Sequence, residues 1–199
     1  MKESFEERYQ NGNLPWDHGM PDRNLISCVE HRPIDPCMVL DIGCGTGENS
    51  VWLAQHGFRV TGCDLSPTAI ELANGKAKAA GVECTFVPGD FLEVRYVGEP
   101  FGFAFDRGCL HCIDGENDRR RFAENVAAHL AEDGLWLSLI GNADEPEREV
   151  GPPQLTAAEV VAAVEPFFEI LSLEAGHFGS DQDEPPQCWI CLLRKRVMV

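Results

Sequence analysis

The run Val39-Leu-Asp-Ile-Gly-Cys-Gly-Thr-Gly47 constrains this chain more than any other segment. An apolar stretch of strand character enters a turn with glycine at positions 43, 45 and 47, and a helical pattern follows at once. Glycine there permits tight turning and close approach of the backbone to a ligand. Strand, glycine turn and helix in that order open a parallel α/β sheet, and the chain keeps to this alternation. Strands are expected at Met38–Ile42, Arg59–Cys63, Glu83–Val87, Phe101–Phe105, Leu135–Ile140, Phe168–Glu174 and Cys188–Leu193. Helices are expected from Ser66-Pro67 to Gly81, from Glu116 to about Glu132, and from a Thr156/Glu159 capping box onward. The last two strands are joined by Ala175–Gln187 without a helix, which implies a final antiparallel hairpin.

Length and composition narrow the rest. A chain of 199 residues suits one domain, expected over 1–199, with 1–37 as a helical cap and 38–199 as the core. The cap contains a helix on which Phe5 and Tyr9 share a face, then Leu14-Pro-Trp-Asp-His-Gly19. Sixteen Lys+Arg against 33 Asp+Glu leave a net charge of −17, which repels phosphate backbones and anionic lipid surfaces. Neither a nucleic-acid nor a membrane partner is therefore expected. The opening Met-Lys-Glu-Ser-Phe-Glu-Glu-Arg lacks the apolar core of an export signal. The nine cysteines read as reduced thiols of a cytoplasmic protein, expected to be a monomer or weak homodimer.

The glycine turn discriminates between cofactors. A dinucleotide pattern, G-x-G-x-x-G, requires glycine at position 48, which is Glu48. That carboxylate would also sit where a pyrophosphate lies, with no Lys or Arg nearby to offset it. An NAD-dependent oxidoreductase is disfavoured on this ground. S-adenosylmethionine, a net cation with no phosphate, suits the acidic turn. Asp64 ends the second strand about 20 residues after Gly43, where a carboxylate can accept from both ribose hydroxyls. Pro88-Gly-Asp-Phe91 follows the third strand, where Asp90 and a flat apolar Phe91 can hold an adenine.

Taken together, these motifs resemble the class I S-adenosylmethionine-dependent methyltransferases over nearly the whole chain. The resemblance implies a Rossmann-like three-layer sandwich with a seven-stranded, mostly parallel sheet. It implies S-adenosyl-L-methionine as cofactor and S-adenosyl-L-homocysteine as product. In this family Gly43, Gly45 and Gly47 would meet the methionine moiety, Asp64 with Leu65 the ribose end, and Asp90 with Phe91 the adenine. Asp41 matches the acid that opens the glycine motif. The stretch from Phe5 to Trp16-Asp is similar to the N-terminal region of the thiopurine, thiol/halide and tellurite-resistance-type methyltransferases. There a tryptophan, here Trp16, closes over the cofactor. Asp106-Arg-Gly-Cys-Leu-His111 resembles the segment after the fourth strand in related members. It makes Arg107 a backbone contributor to the methionine end and His111 or Asp106 the candidate catalytic base.

The acceptor is less constrained. Trp16, His18, Met20, His111, His177 and Phe178 are expected at the mouth, with two histidines charged near neutral pH. That lining suits a small thiol or another soft nucleophile. An N or O acceptor, a protein side chain, or cofactor binding without turnover remain the alternatives. The pairs Cys109/Cys112 and Cys188/Cys191 invite a zinc site. No metal is expected, because Cys188 and Cys191 stand three apart on a strand and so face opposite sides of the sheet.

Overall fold

The structure, a computed structural model, describes residues 4–197 except 33, 94, 97, 147, 149 and 150. Its elements in chain order are α1 (Phe5–Asn11), α2 (Arg23–His31), β1 (Met38–Ile42), α3 (Glu48–Gln55), β2 (Arg59–Asp64), α4 (Pro67–Ala80) and β3 (Cys84–Pro88). They continue with β4 (Phe101–Arg107), a 3-10 turn at Leu110–Cys112, α5 (Glu116–His129), β5 (Leu130–Gly141), α6 (Ala157–Val164), β6 (Phe168–His177) and β7 (Gln187–Lys195). Local chemistry sets most helix starts. Ser4 with Glu7 and Thr156 with Glu159 form capping boxes, and Ser66 caps α4 just ahead of Pro67.

The seven strands form one sheet in the order β3-β2-β1-β4-β5-β7-β6. Pairing is parallel from β3 through to β5, and β7 runs antiparallel to both β5 and β6. The expected final hairpin is therefore present, with its second strand inserted between the first and β5. Side chains alternate between two buried layers, as strand geometry requires. Leu40, Ala104, Trp136 and Cys191 enter one layer with Phe122 of α5 and Val160 of α6. Val39, Phe103, Leu137 and Cys188 enter the other with Leu25 of α2 and Leu53 of α3. Cys188 and Cys191 thus lie on opposite faces of the sheet.

Two elements depart from the sequence reading. Helix α2 was not expected; Asp22, buried, caps it by accepting from the Asn24 amide at 2.8 Å. Helix α5 stops at His129 and not near Glu132, because buried Leu130 turns into the core and pairs with Phe101. The chain then turns at Asp133, which has φ 61°, before strand pairing resumes at Leu135.

Candidate functional site

The ends of β1, β2 and β4 meet at the glycine turn. Gly43, Gly45 and Gly47 adopt φ of 68°, 55° and 85°, the left-handed region that glycine enters without cost. The Gly45 amide donates to Asp64 Oδ2 at 2.9 Å, and the Ser66 amide donates to Oδ1 at the same distance. Burial pushes the Asp64 pKa up, opposed by those two hydrogen bonds and reinforced by the charge of Glu6. Leu65, beside it, is 61% exposed. Asp41 lies under the turn, accepting from Ser50 Oγ at 2.6 Å, and burial raises its pKa to about 7.

One expectation about this turn is corrected. Lys76 of α4 reaches back to pair with Glu48 and to donate to Thr46 Oγ1 at 2.8 Å, so Glu48 does have an offsetting cation. The case against a pyrophosphate then rests on the missing third glycine and not on uncompensated charge. Thr46 Oγ1 in turn donates to Asp17 Oδ2 at 2.7 Å, which keeps the turn acidic.

Helix α1 is docked over the turn. Glu6 accepts from Ser66 Oγ at 2.5 Å and from Thr68 Oγ1 at 2.6 Å, and these bonds draw its pKa down to about 2. The Tyr9 hydroxyl sits where a Cβ on Gly45 would lie only 3.0 Å away. It accepts from Trp16 Nε1 at 3.3 Å. Phe5 and Tyr9 pack edge-on against the Trp16 ring, and the Arg8 guanidinium lies 4.6 Å from its centroid. Trp16 is therefore held beside the glycine turn.

On the adenine side the two expected partners diverge. Asp90 is exposed, with Oδ1 accepting from the Leu92 amide at 2.9 Å. The Phe91 ring, by contrast, is buried against Phe122 and His129, with centroids 5.0 and 5.9 Å away. The flat apolar wall assigned to Phe91 is thus absent, because α5 claims its ring for the core. Only its backbone stays beside Asp90.

Beyond β4, burial changes the meaning of the expected bases. Asp106 is fully buried and accepts from Trp136 Nε1 at 2.9 Å and from the Cys109 and Leu110 amides at 3.1 and 3.2 Å. Burial lifts its pKa to about 6 despite those bonds. His111 Nδ1 accepts from the Gly141 amide at 2.7 Å, which places the ring proton on Nε2. Burial and the neighbouring Arg107 charge depress its pKa to about 3, so the ring is neutral and is not one of the charged histidines expected at the mouth. Phe178 packs edge-on against it at 6.1 Å.

Arg107 enters through its side chain. The guanidinium donates to Asp22 Oδ2 at 2.8 Å, to the Trp16 carbonyl at 3.1 Å and to the Gly179 carbonyl at 2.8 Å, above the Phe178 ring. Of the other mouth residues, His18 is tied to Asp181 at 2.8 Å, Met20 is 47% exposed, and His177 is exposed at the end of β6. Sequence reasoning missed Glu6, Tyr9, Asp17, Asp22 and Lys76. A capping signal existed only for Asp22.

These left-handed glycines, the strand-end carboxylate and exposed Leu65 fit a cationic nucleoside such as S-adenosylmethionine. Residues 39–134 match a family model described as a methyltransferase domain. The chain is 25% identical to 2-heptyl-1-hydroxyquinolin-4(1H)-one methyltransferase of Mycobacteroides abscessus over 92% of this chain and 84% of that protein. Residues 39–134 form a methyltransferase domain, and these matches support an S-adenosylmethionine-dependent methyltransferase. This methyltransferase is also 28% identical to probable thiol methyltransferase 2 of Arabidopsis thaliana, over 85% of its own length and 75% of the relative. Its fold superposes with TM-score 0.83 and 26% identity on a structure described as "Conversion of a Disulfide Bond into a Thioacetal Group during Echinomycin Biosynthesis", covering 98% of this chain and 93% of that one.

Proposed function

We propose that this methyltransferase acts on a small-molecule acceptor that arrives as its own nucleophile, most simply a small thiol as thiolate. The observation that carries this is the state of the two expected bases. Asp106 is sealed under Trp136, and the one basic nitrogen of His111 is engaged by the Gly141 amide. Neither is free to take a proton from an amine or hydroxyl, whereas a thiolate needs none removed at the moment of attack. The likeness to a plant thiol methyltransferase supports the same reading.

In this proposal Asp64 holds the cofactor ribose, Leu65 covers the nucleoside, and Asp90 meets the adenine edge. The backbone of Gly43, Gly45 and Gly47 borders the methionine end, with Asp41 bracing the turn and Trp16 closing the cap. When bound, the cofactor supplies an electrophilic methyl on a sulfonium. Asp106 and His111 are positioning residues: one fixes the 109–110 turn, the other joins that turn to the end of β5. Arg107 locks the cap to the hairpin loop. Acceptor and tail of β4 are thus held in a fixed relation, and such positioning supplies a large share of the rate in bimolecular transfer.

The test is a pH–rate profile with two small thiols of different pKa. The rate should rise with pH toward each thiol's own pKa, the profile shifting with the acceptor. A profile that stays at one pH for both thiols, or efficient methylation of amines without thiol activity, would overturn the proposal.

A further inference from the structure

The β6–β7 hairpin loop, the segment after β5 and the start of α2 line an open cavity of about 500 Å³. Its size is that of a small-molecule site. None of its lining residues belongs to the glycine turn, to the ends of β2 and β3, or to the 106–112 stretch. The cavity thus shares only His177 with the residues expected at the acceptor mouth, and none with the groups assigned to the cofactor.

The floor is pre-organised. Glu145, 9% exposed, accepts from Arg148 Nε at 3.0 Å, from Nη2 at 2.5 Å and from the Gln187 amide at 2.9 Å. Arg148 also donates to the Glu184 carbonyl at 2.9 Å, so its charge and its donors are spent within the protein. The walls differ. Among the described residues, the Arg23 guanidinium has no hydrogen-bond or ion-pair partner, and neither do the carboxylates of Asp183 and Glu184. The His177 imidazole makes no hydrogen bond among the described residues; the Glu145 pKa, which burial would raise, is held down by the bonds from Arg148 and Gln187 and by the Arg148 charge.

One cavity is therefore lined by an arginine and an imidazole together with two exposed carboxylates that pair with no described protein group. A dicarboxylate would meet Asp183 and Glu184 as like charges, and a polyamine would meet Arg23 and Arg148. No three His, Cys, Asp or Glu among the described residues are grouped to hold a metal ion, which leaves an organic ammonium as the partner of the acids. We propose that this cavity binds a small zwitterion of the amino-acid type. Its carboxylate is taken by Arg23, with His177 beside it, and its ammonium by Asp183 and Glu184. Arg23 suits the first role because a guanidinium grips a carboxylate with two parallel bonds.

Occupancy has a mechanical consequence. The same loop carries Phe178 and Gly179, which stack on and accept from Arg107. A ligand that fixes Asp183 and Glu184 fixes that wall of the acceptor side. The binding itself rests on the cavity alone and stands whether or not the acceptor is a thiol.

The experiment is a titration of the full chain, followed by backbone amide NMR shifts, with short-chain L-amino acids such as L-alanine. Acetate and ethylamine serve as single-charge controls. L-alanine should saturate at millimolar concentration, shifting amides of residues 180–187, while both controls bind at least about tenfold more weakly. Arg23→Gln and the pair Asp183→Asn/Glu184→Gln should each weaken L-alanine by about tenfold or more. Both variants change exposed side chains, so melting temperature and S-adenosylhomocysteine affinity should hold. Arg59→Gln, which breaks a remote surface pair with Glu99, should leave L-alanine binding intact. No saturable amino-acid binding, acetate as tight as L-alanine, or full binding by Arg23→Gln would each overturn the proposal.

Discussion

Arg107→Ala removes, in one step, a guanidinium that serves Asp22, the Trp16 carbonyl and the Gly179 carbonyl. The magnitude follows from what is left behind. The Asp22 side chain is 1% exposed, and stripping the partner from a buried carboxylate costs roughly 3–5 kcal/mol. Asp22 keeps three other donors, the Gly179 amide, the Asn24 amide and Asn24 Nδ2, which argues for the low end, about 3 kcal/mol. For a chain of this size that is a fall in melting temperature of about 6–12 °C. Asp22→Asn keeps a good helix cap while deleting the charge. The double variant should therefore cost less than the two singles added, with a coupling of about 2 kcal/mol in urea unfolding. Arg107→Lys should fall between, since an ammonium cannot reach two carbonyls and a carboxylate while lying flat on Phe178. Hydrogen exchange should quicken around Gly179 in Arg107→Ala. Additive costs within about 0.5 kcal/mol would refute the reasoning.

Two further expectations concern the cofactor and His111. Asp64→Ala should weaken S-adenosylhomocysteine binding by about 1–3 kcal/mol in calorimetry, and NAD should not bind the parent protein. Equal affinity in Asp64→Ala would move the ribose elsewhere. His111 has a folded pKa of about 3, below its unfolded value near 6.5, so the unfolded chain binds the extra proton between them. The stability that His111 contributes is complete above pH 6.5 and is lost as the pH falls toward 3. The stability difference between the parent and His111→Gln should shrink by about 1.4 kcal/mol per pH unit below 6.5. A difference flat from pH 7 to 5 would contradict a buried neutral ring.

Much of the fold was legible because it is written locally. The glycine turn and the Thr156/Glu159 and Ser66-Pro67 caps each act within a few residues, so spacing alone reveals them. The end of α5 was not legible, because Leu130 leaves the helix for a contact with Phe101 in another strand. The site divides in the same way. Gly43 to Gly47 are contiguous, and Asp64 follows at a fixed βαβ distance. The Glu48–Lys76, Glu6–Ser66 and Asp22–Arg107 pairs span 28, 60 and 85 residues, and only the folded chain brings them together.

His111 and Asp106 show what residue type leaves undetermined. Histidine at the end of a central strand reads as a base, and aspartate as its understudy. Burial reverses both readings in opposite electrical senses. It drives the imidazole to its neutral form, and it raises the carboxyl toward the range where it too is neutral. Each is then held by backbone amides, so each exerts its effect through the turn it positions. The acidic character of the site survives elsewhere. Asp17 and Asp64 lie on the rim, one through Thr46 and the other through Gly45, on the two sides of the same glycine turn. An acidic rim draws in a cationic cofactor, while behind it the buried imidazole adds no charge at pH 7 and Asp106, with its pKa raised only to about 6, stays mostly ionised. In the proposed reading no protonated histidine draws an anionic acceptor here, so its placement depends on the walls that Asp106, His111 and Arg107 hold. Under the thiol proposal the site therefore offers a thiolate a fixed wall, and no base.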